Sequence, residues 1–218
     1  MSGKTIVIVD YGMGNLFNLQ RAIASLGFES TITFDSKRIE TAGRLLLPGV
    51  GAFPKAMEEL NKRLLLEPLG QFRSTGRPLL GICLGMQLLF SKSYEFGEHK
   101  GLDFIKGKVI PLRRPEPDGN KYKIPQIGWN RIEIPSSRTV GPASKRGLLT
   151  GLTTGADYYF VHSFFCCPED PAVIAAETEY GRDRFCSVAH QENLWGCQFH
   201  PERSGELGLA FLKNFINL

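Results

Sequence analysis

Four short apolar runs in the first ninety residues alternate with segments of helical spacing, and that order leaves few folds open. Thr5 to Val9 is an unbroken β-branched run, the pattern of a strand buried on both faces of a parallel sheet. From Asn15 to Leu26, apolar Leu16, Leu19, Ile23 and Leu26 recur at helical spacing, and Gly27 stops the helix. Ser30 to Phe34 and Arg44 to Leu47 read as the second and third strands, the third running into Pro48-Gly49-Val50-Gly51. A helical region is expected from roughly Pro54 to Phe72, a fourth strand over Pro78 to Ile82, and a further helix opening over Leu84 to Phe90. Strands joined by helices in this order predict a parallel sheet covered on both faces.

The second half is strand-rich. Leu102 to Leu112, Trp129 to Ile134, Tyr158 to Phe164, Ala172 to Glu177, Phe185 to His190 and Leu194 to Phe199 follow one another, with a turn at Pro115 to Asn120. These read as mostly antiparallel, and Gly205 to Phe215 closes the chain as a helix. No internal repeat, low-complexity tract or linker divides the sequence. The expectation is a single α/β domain over residues 1–218: a central, mostly parallel mixed sheet flanked by helices, with an additional antiparallel strand set.

Length and composition bound the function class. A chain of 218 residues buries a core without disulfides or metals. The net charge of +4 is too mild to imply nucleic acid or a membrane surface, and no apolar stretch is long enough to span a bilayer. The N-terminus, Met1-Ser2-Gly3-Lys4, lacks a signal-peptide pattern. Cys83, Cys166, Cys167, Cys186 and Cys197 are an odd number without C-x-x-C spacing, which argues against a disulfide framework and a zinc site. Free cysteines point to a reducing compartment, and a cytoplasmic location is expected. Neither metal nor cofactor is expected. Gly12-Met13-Gly14-Asn15 has part of a dinucleotide fingerprint, but Phe17 stands where its third glycine belongs.

The chemistry centres on Gly81-Ile82-Cys83-Leu84-Gly85. A buried strand runs into a cysteine with glycine two residues to either side, and a helix begins at once. This is the layout of a nucleophile elbow with cysteine in place of serine. The turn pushes the sulfur out of the sheet, the helix start favours the thiolate, and the N–H of Leu84 faces the place of a tetrahedral oxyanion. Taken alone, Cys83 also fits a small buried core cysteine. A cysteine nucleophile needs a base and the base an orienter. His200 ends an apolar strand, and Pro201 turns the chain so that Glu202 can reach back to its ring. His162, inside the aromatic run Tyr159 to Phe164, reads as a hydrogen-bonded structural histidine; His190 and His99 read as exposed. Pro48-Gly49-Val50-Gly51 ends a strand at the same sheet edge as Cys83, so its N–H groups can face an oxyanion.

In order and spacing, Pro48-Gly49-Val50-Gly51, Gly81 to Gln87 and His200-Pro201-Glu202 together resemble the class I, triad-type glutamine amidotransferases, and the resemblance covers essentially the whole chain. It implies a glutamine amidotransferase type 1 domain with Cys83 as nucleophile, His200 as general acid and base, and Glu202 as its orienter. It further implies an oxyanion hole from the N–H groups of Leu84 and the Val50 segment. Glutamine would be met by Gly51 and Gln87, and by the backbone of Ser163 and Phe164. Asp10 to Leu16, Pro125 to Asn130 and Gln198 to Gly205 resemble a narrower group, the glutaminase subunits of histidine biosynthesis. These release ammonia from glutamine and deliver it to a (β/α)8-barrel cyclase subunit, which makes imidazole glycerol phosphate and an aminoimidazole carboxamide ribonucleotide. The family often has Tyr where Phe164 stands. Because the chain ends soon after Glu202, the ammonia is expected to be used by a separate subunit. Asn15 and Trp129 are interface candidates by resemblance, although Trp129 also fits a core position. Other readings stay open: a subunit feeding a different synthase such as a surface-sugar enzyme, a stand-alone cysteine hydrolase, or a non-catalytic module on the same scaffold.

Overall fold

The computed structural model describes residues 5–115, 122–135 and 147–218. The first half runs β1 (Ile6–Val9), α1 (Leu16–Ser25), β2 (Ser30–Thr33), α2 (Ser36–Thr41), β3 (Arg44–Gly49), α3 (Phe53–Lys62), α4 (Leu66–Ser74), β4 (Leu79–Cys83) and α5 (Leu84–Leu88). The second half runs β5 (Phe90–Ser93), β6 (His99–Lys100), β7 (Ile105–Pro111), β8 (Gln126–Ile132), β9 (Ala156–His162), β10 (Phe164–Pro168), β11 (Ile174–Tyr180), β12 (Asp183–Gln191), β13 (Leu194–Cys197) and α6 (Gly205–Ile216). Among the described residues, eleven strands form one sheet in the order β2-β1-β3-β4-β13-β12-β10-β7-β5-β6, with β11 paired to β12. No helix among them is long and apolar enough to cross a membrane.

The alternation of β1 shows how the core is divided. Ile6 and Ile8 face α1 and α6, packing with Leu19, Ile23, Phe211 and Phe215. Val7 and Val9 face the other side, with Ile39, Leu60, Leu69 and Phe72 from α2, α3 and α4. Side chains alternate across a strand, so a run apolar at every position needs a cover on both faces. The strands β2, β1, β3, β4 and β13 are mutually parallel, so their carboxyl ends share one edge. Cys83 ends β4 at that edge, and β13 delivers the segment leading to His200 beside it.

Several boundaries differ from the sequence expectation. The helical region expected from Pro54 to Phe72 is two helices, because Leu64 turns to φ 56° and stands 78% exposed between them. The helix opening at Leu84 ends at Leu88, and Phe90 starts β5. Helix α2 had no apolar period to announce it; Asp35 caps it by accepting from the Arg38 N–H at 2.8 Å. The run Tyr158 to Phe164 is divided at Ser163: β9 pairs with β8 in a separate two-stranded sheet, whereas β10 pairs with β7 in the main one. The second half is not purely antiparallel, since β13 lies parallel to β4 and β5 parallel to β7. The turn expected at Pro115 to Asn120 falls, after Pro115, outside the described residues.

The elbow depends on two glycines for packing rather than for freedom of φ. A Cβ on Gly85 would lie 1.7 Å from the Leu47 carbonyl oxygen, and one on Gly81 would lie 2.6 Å from the Gly85 carbonyl oxygen. Both obstacles are backbone, which cannot swing aside. Gly85→Ala is therefore expected to cost roughly 3 kcal/mol, seen as a fall of roughly 6–12 °C in melting temperature. An unchanged melting curve would contradict this close approach of α5 to β3.

Candidate active site

Cys83 takes φ 54° and ψ −111°, a backbone state disfavoured for a residue with a side chain. The strain is held by β4 on one side and α5 on the other, and it presents the sulfur at the sheet's carboxyl edge. Helix α5 is only five residues long, so its dipole is a smaller aid to a thiolate than the sequence suggested. Gln198 Nε2 lies 3.6 Å from Cys83 Sγ, and Sγ lies 3.7 Å from the Val161 carbonyl oxygen.

His200 follows β13 and is buried. Pro201 begins a 3₁₀ turn, and that turn returns Glu202 to the ring: His200 Nδ1 and Glu202 Oε1 are 2.9 Å apart, both side chains nearly buried. The backbone of His200 is fixed as well. Its N–H donates to the Tyr159 carbonyl at 2.8 Å, and its carbonyl accepts from Ser204 Oγ at 2.7 Å. Burial alone would lower the imidazole. The neighbouring Cys83 and Glu202 outweigh it, and His200 is pushed up to about 10. The arrangement thus favours an imidazolium beside the sulfur at neutral pH. The raising influence of Cys83 depends on its negative charge. With the sulfur bonded to an acyl group that charge would be gone, and the His200 proton would become easier to give up.

A cavity of about 370 Å³ opens over these groups, a size suited to a small ligand. Every candidate site and interface residue named from the sequence lines it except Trp129. Its walls combine Cys83, Leu84 and Gln87 of the elbow with Val50 and Gly51 after β3, and with Ser163 and Phe164. Gln87 Nε2 donates to the Phe164 carbonyl at 2.9 Å and to Gln198 Oε1 at 3.1 Å. Both amide hydrogens are thereby used, which leaves the Gln87 oxygen to accept from a ligand. The Ser163 carbonyl accepts from the Leu112 N–H, and that of Phe164 from Gln87 and the His162 ring. That wall therefore suits an acceptor such as a carboxylate better than an ammonium group.

His162 is structural, as the sequence indicated. Its ring is buried between the Phe164 carbonyl at 2.9 Å and the Gln126 side-chain amide at 3.0 Å, and burial lowers it to about 4, so it stays neutral. Trp129 is 58% exposed, which removes the core alternative. Its ring meets Tyr159 edge-on at 6.0 Å, and Arg203, a cavity residue, stacks over Tyr159 at 4.5 Å. All five cysteines are free thiols. Cys166 and Cys186 face each other across β10 and β12, and burial pushes both thiols up, which disfavours the reactive thiolate at either.

Two site residues escaped the sequence reading. Glu95, from the loop between β5 and β6, lines the cavity and accepts from the Phe53 N–H at 2.7 Å. Nothing local marks it, because the loop reaches the cavity only through tertiary packing. Gln198 had a usable signal: it stands two residues before His200 in a run expected to be a strand, where alternate residues share a side, although β13 ends at Cys197 and the chain bends at Gln198 and Phe199.

The sequence as a whole matches known proteins consistently with this geometry. The family model described as Glutamine amidotransferase class-I matches residues 7–218. The chain belongs to the class I glutamine amidotransferases. As a member of that family it is an enzyme acting on glutamine, and the remaining comparisons narrow the group. A protein of Syntrophotalea carbinolica named imidazole glycerol phosphate synthase subunit HisH is 44% identical, over 96% of this chain and 98% of its own. A protein of the same name from Lactococcus lactis is 43% identical, over 98% of each chain. Among solved structures, one described as a glutamine amidotransferase superposes with a TM-score of 0.69 at 17% identity, covering 96% of this chain and 98% of that one. PurLQS from Thermotoga maritima gives 0.67 at 16% identity, covering 99% and 98%. At such identities the structural likeness bears on fold alone, and the amidotransferase scaffold is what it shares.

Proposed function

We propose that this amidotransferase is the glutaminase subunit of an imidazole glycerol phosphate synthase, hydrolysing glutamine and passing the ammonia to a (β/α)8-barrel cyclase subunit in histidine biosynthesis. The observation that carries the glutaminase reading is the buried His200–Glu202 pair set beside Cys83 in a small polar cavity. The near full-length identity to curated synthase subunits supports the narrower assignment.

The reaction follows from the charges. The Cys83 thiolate attacks the side-chain amide carbon of glutamine, and the oxygen that becomes negative is met by the N–H groups of Leu84 and Val50. His200 passes its proton to the amide nitrogen, the C–N bond breaks, and ammonia leaves a γ-glutamyl thioester on Cys83. The now neutral His200, held by Glu202, takes a proton from water as the water oxygen attacks the thioester. Glutamate leaves, and the thiolate–imidazolium pair is restored. Ser163, Phe164 and Gly51 hold the α-carboxylate end. Gln87 accepts from a substrate N–H, and Glu95 supplies negative charge for the α-ammonium group.

The partner's docking face lies over β8 and β9. Ile127 and Trp129 share the outer side of β8, 62% and 58% exposed, and pair with Val161 and Tyr159 of β9. Val161 and Tyr159 are the residues whose carbonyls accept from Cys83 and from the His200 backbone. A partner seated on this face, with Asn15 beside it at the cavity rim, therefore presses on the strand that holds both nucleophile and base. Val50, 44% exposed, is open to the same influence. The isolated chain is expected to release ammonia from glutamine slowly, and the rate to rise at least a hundredfold, about 2.7 kcal/mol of barrier, with the cyclase subunit and its nucleotide. A full rate without partner would contradict the gating, and no rise in the mixture would point to a different synthase.

A further inference from the structure

The Gln198 side chain is fully buried, directly behind the nucleophile, and no step of the proposed reaction uses it. Its orientation is dictated by its neighbours. The Phe164 carbonyl can only accept, so the Gln87 atom facing it at 2.9 Å is the amide nitrogen. That nitrogen also faces Gln198 at 3.1 Å, so the Gln198 atom there is the oxygen. The Gln198 nitrogen is then turned toward Cys83 Sγ, 3.6 Å away. Across the sulfur, the Val161 carbonyl is an acceptor, a partner for the thiol hydrogen but repulsive to a thiolate.

We infer that Gln198 is a further catalytic residue of this site: its amide N–H donates to the Cys83 sulfur and stabilises the thiolate both as it attacks and as it leaves. The inference rests on the reading of Cys83 as nucleophile. His200 stabilises the sulfur only while it carries its proton, and it surrenders that proton to the departing ammonia. Gln198 cannot ionise, so its donor faces the sulfur throughout the cycle. It adds to His200 at both ends of the cycle, as the thiolate attacks and as the C–S bond breaks and sulfur takes the electron pair. Gln87 and the Phe164 carbonyl hold the Gln198 amide in the productive orientation, which ties the thiolate donor to the same wall that receives substrate.

The test is the rate of Cys83 alkylation by iodoacetamide in the purified full-length chain, followed by peptide mass spectrometry over a range of pH. This readout needs neither glutamine nor partner. Gln198→Met keeps the volume and removes the donor. It is expected to move the midpoint of the pH–rate profile up by roughly one unit and to slow alkylation about tenfold at pH values below the parent's midpoint. Gln198→Glu keeps the shape and faces the sulfur with an acceptor, so a larger upward displacement is expected. Melting curves identify which variants fold. A folded variant of either kind with an unmoved midpoint overturns the inference and leaves Gln198 a packing residue. If Cys83 of the unsubstituted chain is no more reactive than the other four cysteines, the nucleophile reading itself fails, a result distinct from an unmoved midpoint.

Discussion

Cys83→Ala is expected to lower glutamine-dependent turnover of the assembled synthase by at least about 10⁴-fold, while turnover supported by added ammonium stays near that of the unsubstituted enzyme. The split arises because, in the proposed reaction, the sulfur forms the bond that divides amide hydrolysis into two steps. Cys197 and Cys166 are buried thiols pushed well up by that burial. The substitution removes only a sulfur at a position 5% exposed, so the proposed docking face over Ile127 and Trp129 is left as it was. Ammonium reaching the cyclase from solution bypasses the missing step. The measurement is product formation with each nitrogen source in turn. Residual glutamine turnover above about a hundredth of the original rate would count against Cys83 as nucleophile.

Glu202→Gln is expected to cost roughly 10³–10⁴ in kcat for glutamine hydrolysis, with a smaller change in KM. The amide preserves shape, but it cannot offer His200 Nδ1 the charged acceptor that now lies 2.9 Å away. Burial, which lowers the imidazole, is then opposed by Cys83 alone, so the imidazolium is lost at lower pH. The sign of the effect on stability follows. His200 is raised in the fold from 6.5 to about 10. Its stabilising contribution is complete below about 6.5 and is lost as the pH rises through about 10. The melting-temperature difference between the parent and Glu202→Gln should therefore be largest near and below neutral pH and shrink toward pH 10. A difference that grows with pH would contradict the ion-pair description.

What the sequence made legible and what it hid have physical causes. The parallel half was readable because each of β1, β3 and β4 is buried on both faces, and an unbroken apolar run of that length fits little besides a strand covered on both sides. The elbow was readable because steric demand writes itself locally: Gly81 and Gly85 stand where backbone leaves no space for a Cβ. His200 and Glu202 were readable because two residues and a proline suffice to bring them together. The division of Tyr158 to Phe164 was hidden because one extended run serves two different sheets, and the choice of partner, β8 or β7, is not encoded in the run itself. Glu95 was hidden for the same kind of reason, since its place in the cavity depends on the path of a loop. Helix α2 carries a single buried residue, Ile39, too few to show a period.

In the proposed cycle, Cys83 carries the γ-glutamyl group between the two half-reactions. This is checked by acid-quenched peptide mass spectrometry of the chain mixed with glutamine in the presence of the cyclase subunit and its nucleotide. One γ-glutamyl addition is expected on the peptide containing Cys83, accumulating in a variant slowed at His200 or Glu202 and absent from Cys83→Ala. Sustained ammonia release with no adduct on Cys83, or an adduct on another residue, would show that the group travels by a different route.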